Sequence, residues 1–460
     1  MTLIDSSAQT EDVDVTAFPP GFVWGAATAA YQIEGAVSAD GREPSIWDTF
    51  AHTAGRTKHG DTGDVACDHY HRWHSDLEMI RDLGLRAYRM SVSWARLQPH
   101  GSGPLNPAAV AHYRRVLGRL RELGVRAYVT LYHWDMPQTL EDAGGWPERD
   151  TASRFADFAA RTVQALGDLA DDWITLNEPW CSAFLGYGSG VHAPGRTDLR
   201  VAVAAAHHLN LAHGLATRAI RTQRSLSVGV SHIITDLLAA SSRPEDVQAR
   251  DRVDANNNRL FLDPLLRGRY PRDVLDLYEP HGLARLIRDG DEDVIAAPLD
   301  FLGVNHYHQL VVAADPQDAH LGAATTAAEP QATSMRWSVV PDSLRRVLVR
   351  TATDYPGIPL YVTENGAAFD DHADNAGQVA DTERVGYLRG YLQAAGEAIR
   401  QGVNLQGYFV WSLMDNFEWA EGYGPRFGLV YVDYETQART PKASAVWYRD
   451  LIGRHARTSS

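Results

Sequence analysis

Ile358-Pro359-Leu360-Tyr361-Val362-Thr363-Glu364-Asn365-Gly366 is the stretch whose reading decides the fold. Leu360 to Thr363 are apolar, aromatic or β-branched, which suits a short buried strand. The apolar run stops at a carboxylate, Glu364, and Asn365-Gly366 turns the chain at once. Trp173-Ile174-Thr175-Leu176-Asn177-Glu178-Pro179 repeats the arrangement: a short apolar strand, then Asn-Glu, then a breaker. A carboxylate at the C-terminal lip of a buried parallel strand is where barrel enzymes place their chemistry.

Working outward, strands are predicted over residues 22–28, 87–94, 126–133, 173–178, 227–235, 299–307, 360–364 and 405–413. Helical patterns separate them over 71–83, 107–123, 151–166, 199–224, 342–353 and 382–400. Strand and helix alternating eight times predict an α/β fold, a single (β/α)8 TIM barrel with elaborated βα loops. A doubly wound sheet is the competing architecture, but no strand leads into a G-x-G-x-x-G phosphate loop. Residues 18–452 are read as the barrel domain, 1–17 as a disordered N-terminal tail and 453–460 as a C-terminal tail. Residues 313–334, rich in Ala, Thr, Asp, Pro and Gln without amphipathic period, are expected to form a long surface loop.

Length alone, 460 residues, suggests about three domains at roughly 150 residues each, yet no linker or low-complexity tract divides the chain. One barrel with insertions accounts for it better. A net charge of −15 argues against nucleic acid or an anionic membrane as a partner. Cys67 and Cys181 are the only cysteines, too few for a disulfide framework. Residues 1–16 lack the basic and apolar regions of a signal peptide, and no apolar run reaches the ~18 residues of a membrane span. A soluble cytoplasmic enzyme is the expectation. Two buried strand-end glutamates far apart in sequence suit glycosidic bond cleavage, which needs a proton for the leaving oxygen and negative charge beside an oxocarbenium-like carbon.

Further motifs accompany the two glutamates. They run from Phe22-Val23-Trp24-Gly25 through Tyr31-Gln32-Ile33-Glu34-Gly35, Ser45-Ile46-Trp47-Asp48, and Cys67-Asp68-His69-Tyr70-His71-Arg72. Tyr88-Arg89-Met90-Ser91 and Leu131-Tyr132-His133-Trp134-Asp135-Met136-Pro137 follow, and Trp411 to Trp419 and Arg426-Phe427-Gly428-Leu429 complete the set. In this order, over about residues 18–452, the chain resembles glycoside hydrolase family 1, the β-glucosidase family. One departure is Gly303-Val304-Asn305-His306-Tyr307, where the family commonly has Asn-Tyr-Tyr; the second aromatic is retained and His306 leaves the local packing open.

The resemblance implies a retaining exo-β-glucosidase with Glu178 as acid/base and Glu364 as nucleophile, their carboxyls about 5–5.5 Å apart. It assigns Arg89, Asn305 and Tyr307 to the catalytic group. It assigns Gln32, His133, Trp134, Asn177, Glu418, Trp419 and Phe427 to the substrate, with Trp411 as a platform under the sugar ring. Trp337, with Trp180, Phe184 and His192, is expected on the leaving-group side. The implied partner is a small or oligosaccharide β-glucoside, with no cofactor and no metal. His69, His71 and His74 form an H-x-H-x-x-H run but lack the wider ligand set of a zinc site. The competing readings are a 6-phospho-β-glucosidase and a non-catalytic sugar-binding barrel. The former is opposed by Glu418 and Glu421 with no lysine in residues 417–424.

Overall fold

Strands apolar on both faces can satisfy their backbone groups and hide their side chains only between partner strands and covering helices. Eight such segments here do so in a ring. The computed structural model describes residues 12–328 and 332–458. Its barrel strands are β1 (Val23–Ala27), β2 (Ala87–Ser91), β3 (Arg126–Tyr132), β4 (Asp172–Asn177), β5 (Ser227–Ile233), β6 (Phe301–Asn305), β7 (Leu360–Asn365) and β8 (Leu405–Trp411). They pair in parallel, in chain order, and β1 closes on β8 from Val23 opposite Gly407 to Ala27 opposite Trp411. The fold is therefore the predicted TIM barrel, with each expected strand present and its ends trimmed by a few residues.

Helices cover the ring from outside, among them Pro107–Glu122, Arg149–Leu166, Leu199–Gln223 and Thr382–Arg400. Their starts obey local chemistry: the Asn106 side chain accepts from the Ala108 N–H ahead of Pro107, and the Asp198 side chain accepts from the Arg200 N–H. Inside the barrel, Tyr128, Ile174, Phe301 and Phe409 form a closed apolar plug, with Tyr128 and Phe409 at a ring separation of 4.9 Å. The plug fills the lower barrel and leaves the C-terminal mouth as the place where polar side chains converge.

Three expectations need correction. Residues 313–334 do not form a plain loop: Gln309–Ala314 and Ala323–Ala327 make an antiparallel hairpin that pairs with Asp236–Ala239. The alternation of small residues hid a half-covered strand pair whose apolar face rests on Ala249 and Val253; residues 329–331 lie outside the described residues. The N-terminal tail ends earlier than residue 17, because Val13 and Val15 are buried in the main core; residues 1–11 lie outside the described residues. At the other end, Ala443–Thr458 is one helix whose Leu451, Ile452 and His455 are buried, so the chain is helical beyond residue 452. Among the described residues, no helix is long and apolar enough to cross a membrane.

The loops after β7 and β8 are fastened by a buried ionic cluster. Lys442 Nζ lies 2.6 Å from both Asp371 Oδ2 and Asp415 Oδ1. Arg384 reaches Asp371 and Asp381, and Arg426 reaches Asp415. Three cations thus face three carboxylates, away from water. Removing one member leaves uncompensated charge, at a cost of about 3–5 kcal/mol. Lys442→Met is therefore expected to lower unfolding stability by about 3 kcal/mol or more. Denaturant titration of the two proteins measures it, and a loss well under 1 kcal/mol contradicts it.

Candidate active site

The two glutamates meet at the mouth of the barrel because β4 and β7 both end there. Glu178 follows β4 directly, and its N–H donates to Ser231 O of β5 at 2.9 Å. Glu364 is the fifth residue of β7, and its carbonyl accepts from His306 N–H at 3.0 Å. Glu178, Trp134 and Trp419 all have positive φ (+45°, +76° and +52°), a region that side-chain-bearing residues avoid unless their surroundings enforce it. Gly366, just past β7, has no room for a side chain: a Cβ there would sit 1.7 Å from Trp411 O. The turn after β7 and the end of β8 are thus pressed backbone to backbone.

Donors grip both carboxyls. Arg89, fully buried in β2, donates through Nη1 to Glu364 Oε1 and to Thr363 O at 3.2 Å, and through Nη2 to Asn177 Oδ1 at 2.6 Å. Tyr307 OH donates to Glu364 Oε2 at 2.5 Å. Asn305 Nδ2 donates to Glu178 Oε1 at 2.6 Å and to Asn177 Oδ1 at 3.0 Å, while its own Oδ1 accepts from Thr363 Oγ1 at 2.7 Å. Cys181 Sγ donates to Glu178 Oε2 at 3.2 Å. Asn177 Oδ1 already accepts two bonds, so its Nδ2 donates to His133 Nε2 at 3.1 Å, which puts the imidazole proton on Nδ1.

The electrostatics differ sharply from group to group. Burial, reinforced by the nearby Glu364 charge, pushes the Glu178 carboxyl up to about 8, against the pull of Asn305 and Cys181. Burial and then Glu364 and Glu178 push Glu418 up to about 8 as well. Burial, with Arg89 beside it, holds His133 well below the usual imidazole range, so it is neutral. Burial and the Glu364 charge raise the Tyr307 phenol, which keeps its proton and remains a donor.

These groups surround a cavity of about 310 Å3, at the small end of the range for ligand sites. Glu178, Glu364, Tyr307, His133, Trp134, Trp411, Glu418, Trp419 and Phe427 line it, as do Trp180, His192 and Trp337. Arg89, Asn177 and Asn305 hydrogen-bond lining groups, and Gln32 is fully buried against the loop after β8. Gln32 donates to Asn416 Oδ1 at 3.0 Å and Phe417 O at 2.8 Å, leaving its Oε1 buried without a protein partner. Glu418 Oε2 and His133 Nδ1 are likewise buried and unpartnered. Such atoms are costly unless a ligand with several hydroxyls meets them.

Phe184 is the one expected residue that the structure turns away. It packs on Trp180, Tyr278 and His320 inside a π-helical turn, Cys181–Gly188, whose wider pitch rotates it off the cavity. His306 replaces the family tyrosine without disturbance: its Nδ1 donates to Ile234 O at 2.9 Å and its Nε2 accepts from Ser343 Oγ at 2.7 Å. His69 is paired with Asp76 and His71 with Asp68, so these histidines face different partners. Sequence reasoning missed Cys181, Ile233, His308 and Met335 in the wall, and Lys58, which pairs with Glu421 at the rim. Cys181 carried a signal, three residues after Glu178 on a turn that brings it back; Ile233 ends β5, and His308 and Met335 flank the expected Tyr307 and Trp337.

Comparison with known proteins gives one pattern throughout. The family model for glycosyl hydrolase family 1 matches residues 15–457. A thermostable β-glucosidase B of Thermobispora bispora is 50% identical, covering 95% of this chain and 91% of that protein. A bifunctional β-D-glucosidase/β-D-fucosidase of Bifidobacterium breve is 48% identical over 95% of this chain and 99% of its own. The β-glucosidase of Thermotoga maritima in complex with deoxynojirimycin superposes with a TM-score of 0.93 at 43% identity, covering 95% of this chain and 99% of that one.

The raised Glu178 carboxyl has a consequence for stability. The folded protein keeps this proton up to about 8, whereas an unfolded chain releases it near 4.5. Folding thus takes up a proton between those values, so the contribution of Glu178 is fully present below 4.5 and is lost as pH rises through about 8. Glu178→Gln keeps the shape and cannot ionise. Its melting temperature relative to wild type is expected to rise steadily from pH 5 to pH 9, as read by thermal denaturation at a series of pH values. A constant difference contradicts the assignment.

Proposed function

The chain belongs to glycosyl hydrolase family 1, and from that premise we propose that it is an exo-acting β-glucosidase that releases terminal non-reducing β-D-glucosyl residues with retention. Glu364 attacks the anomeric carbon while Glu178 passes its proton to the glycosidic oxygen, so the bond to the leaving group breaks as the bond to Glu364 forms. Glu178, now ionised, then takes a proton from water; the water oxygen attacks the same carbon, and Glu364 leaves as a carboxylate.

One observation carries this division of labour: two carboxyls in one cavity have unequal settings. Glu178 has only Asn305 and a thiol to support a negative charge, and burial holds its proton. Glu364 has a guanidinium on one oxygen and a phenol on the other, the surroundings a carboxylate nucleophile needs. The inert-barrel reading is disfavoured because both carboxyls are in place.

The unpartnered Gln32 Oε1, Glu418 Oε2 and His133 Nδ1 suit the hydroxyls of a pyranose, with Asn177 and Trp419 beside them. Trp411, stacked near His133 at a ring separation of 5.8 Å, suits its C–H face. Trp134 and Phe427 complete the wall, while Trp180, His192 and Trp337 serve the leaving group. β-D-Fucosides are a second substrate class, supported by the bifunctional Bifidobacterium relative. A 6-phosphate would meet the Glu418 and Glu421 carboxyls; Lys58, the nearest cation at that rim, is already paired with Glu421.

Two experiments test the reading. In a panel of p-nitrophenyl glycosides, the β-glucoside is expected to be cleaved with β-glucose as the first product by NMR, and the 6-phospho-β-glucoside at least about a thousandfold less efficiently, because a phosphate dianion would give up its water for carboxyls, with Lys58 already paired to Glu421. Faster cleavage of the phosphorylated substrate, or α-glucose first, overturns it. In the second, Glu364→Ala is expected to disable all substrates, whereas Glu178→Ala should spare dinitrophenyl glucoside, whose leaving group needs no proton. Trapping with an activated fluoroglycoside should label Glu364; label on Glu178 reverses the assignment.

A further inference from the structure

Glu418 and Trp419 hang on a turn that closes on itself. Glu418 N–H donates to Gly422 O at 2.8 Å, Glu421 N–H to Glu418 O at 2.9 Å, and Gly422 N–H to Trp419 O at 3.2 Å. Two of its residues have positive φ, Trp419 at +52° and Gly422 at +66°. A tryptophan keeps that backbone conformation only where surrounding contacts enforce it. Tyr31, Trp47 and Trp134 pack on the Trp419 ring, and the far side of the turn, Glu421 to Tyr423, is held by residues 57–62 of the β1–β2 connection, at the opposite end of the chain.

Asp61 Oδ2 accepts from Tyr423 N–H at 2.9 Å, and Tyr423 OH donates back to Thr62 O at 2.7 Å. Lys58 pairs with Glu421. The fit is close: a Cβ on Gly422 would lie 2.2 Å from Asp61 Oδ2. Asp61 is itself fixed, since its carbonyl accepts from Thr57 Oγ1 at 2.8 Å and its N–H donates to Lys58 O at 3.1 Å. The first and last βα loops are thereby buckled together above the β1–β8 seam.

We propose that Asp61, with Tyr423, is a positioning residue for the sugar: it touches no substrate, and it sets the Glu418 carboxyl at the height and angle that meet the glucosyl hydroxyls. The inference rests on the reading of Glu418 as a sugar contact given above. Loss of the Asp61 acceptor releases Tyr423 N–H and lets the turn relax toward unstrained φ, which carries Glu418 away from the ring while Glu178 and Glu364, on β4 and β7, stay where they are.

The test is a double-mutant cycle on the full chain, read as kcat and KM for p-nitrophenyl β-glucoside. Asp61→Ala is expected to lower kcat/KM about tenfold, mainly through KM, the scale of a small displacement of a binding group. Asp61→Asn, which keeps an acceptor oxygen in place, should stay within about threefold of wild type. In a Glu418→Ala background Asp61→Ala should cost less than about twofold, because the group it positions is gone. Tyr423→Phe breaks the buckle from its other side with less risk to folding, and should raise KM about threefold only when Glu418 is present. Equal losses for the Ala and Asn variants, or the same loss with and without Glu418, or no KM change in Tyr423→Phe, overturn the proposal. Wild-type kcat/KM in Glu418→Ala alone is a separate result: it removes the sugar-contact reading of Glu418, and the buckle's role falls with it.

Discussion

The rest of the site depends on one buried charge. The Arg89 guanidinium lies inside the barrel mouth, out of reach of water, and a cation there is tolerable only if its partners are supplied by the protein. Glu364 on β7 neutralises it, and the carbonyl of Thr363 and Asn177 on β4 accept from its two terminal nitrogens, while its Nε has no protein partner. Those groups come from β4 and β7 and Arg89 itself from β2, so the ion pair forms only in the closed ring. The same requirement fixes the position of Glu364, the residue proposed as the nucleophile.

From that pair a second inequality follows. Glu178 stands in the field of Glu364 but is denied an arginine of its own, so its burial is not offset and its proton stays. Asn305 is the hinge between the two: it donates to Glu178, and its oxygen is engaged by Thr363 next to Glu364. An amide can support a carboxyl without ionising it, which a lysine or arginine at this place would not do. Glu418, the third carboxyl, is also raised by burial and by its two neighbours. Of the four acids that line the cavity, Glu364 is held by a guanidinium and Glu421 by Lys58, whereas Glu178 and Glu418 have no cation of their own.

The barrel itself is rigid, but the walls of the cavity are borrowed from loops, and each loop is tied down by polar contacts of its own. After β7 and β8 the fastening is the buried cluster of Lys442, Arg384 and Arg426 with Asp371, Asp381 and Asp415. At the Glu418 turn it is the reach of residues 57–62 across the seam. The positive φ values of Trp134, Glu178 and Trp419 show where local preference was overridden by the surrounding packing.

Strand periodicity and breakers were legible in the chain itself: every barrel strand from Val23–Ala27 to Leu405–Trp411 lies within a few residues of its expected span, because buried parallel strands must be short apolar runs whatever surrounds them. The two Asn-Glu strand ends were legible for the same reason. The Gln309–Ala314 and Ala323–Ala327 hairpin was not, since alanine and threonine carry no period until a sheet partner gives them a face. Nor were Val13 and Val15, which only a finished core can bury. The tertiary structure alone turned Phe184 outward and Cys181 inward, through a π-helical turn that shifts every later side chain. It alone brought Lys58 and Asp61 to residues 421–423, more than three hundred and fifty positions away, and it alone raised the proton affinity of Glu178 by burial beside Glu364. Sequence spacing encodes which residues share a strand, whereas proton affinity depends on burial and on charges that only the closed barrel brings together.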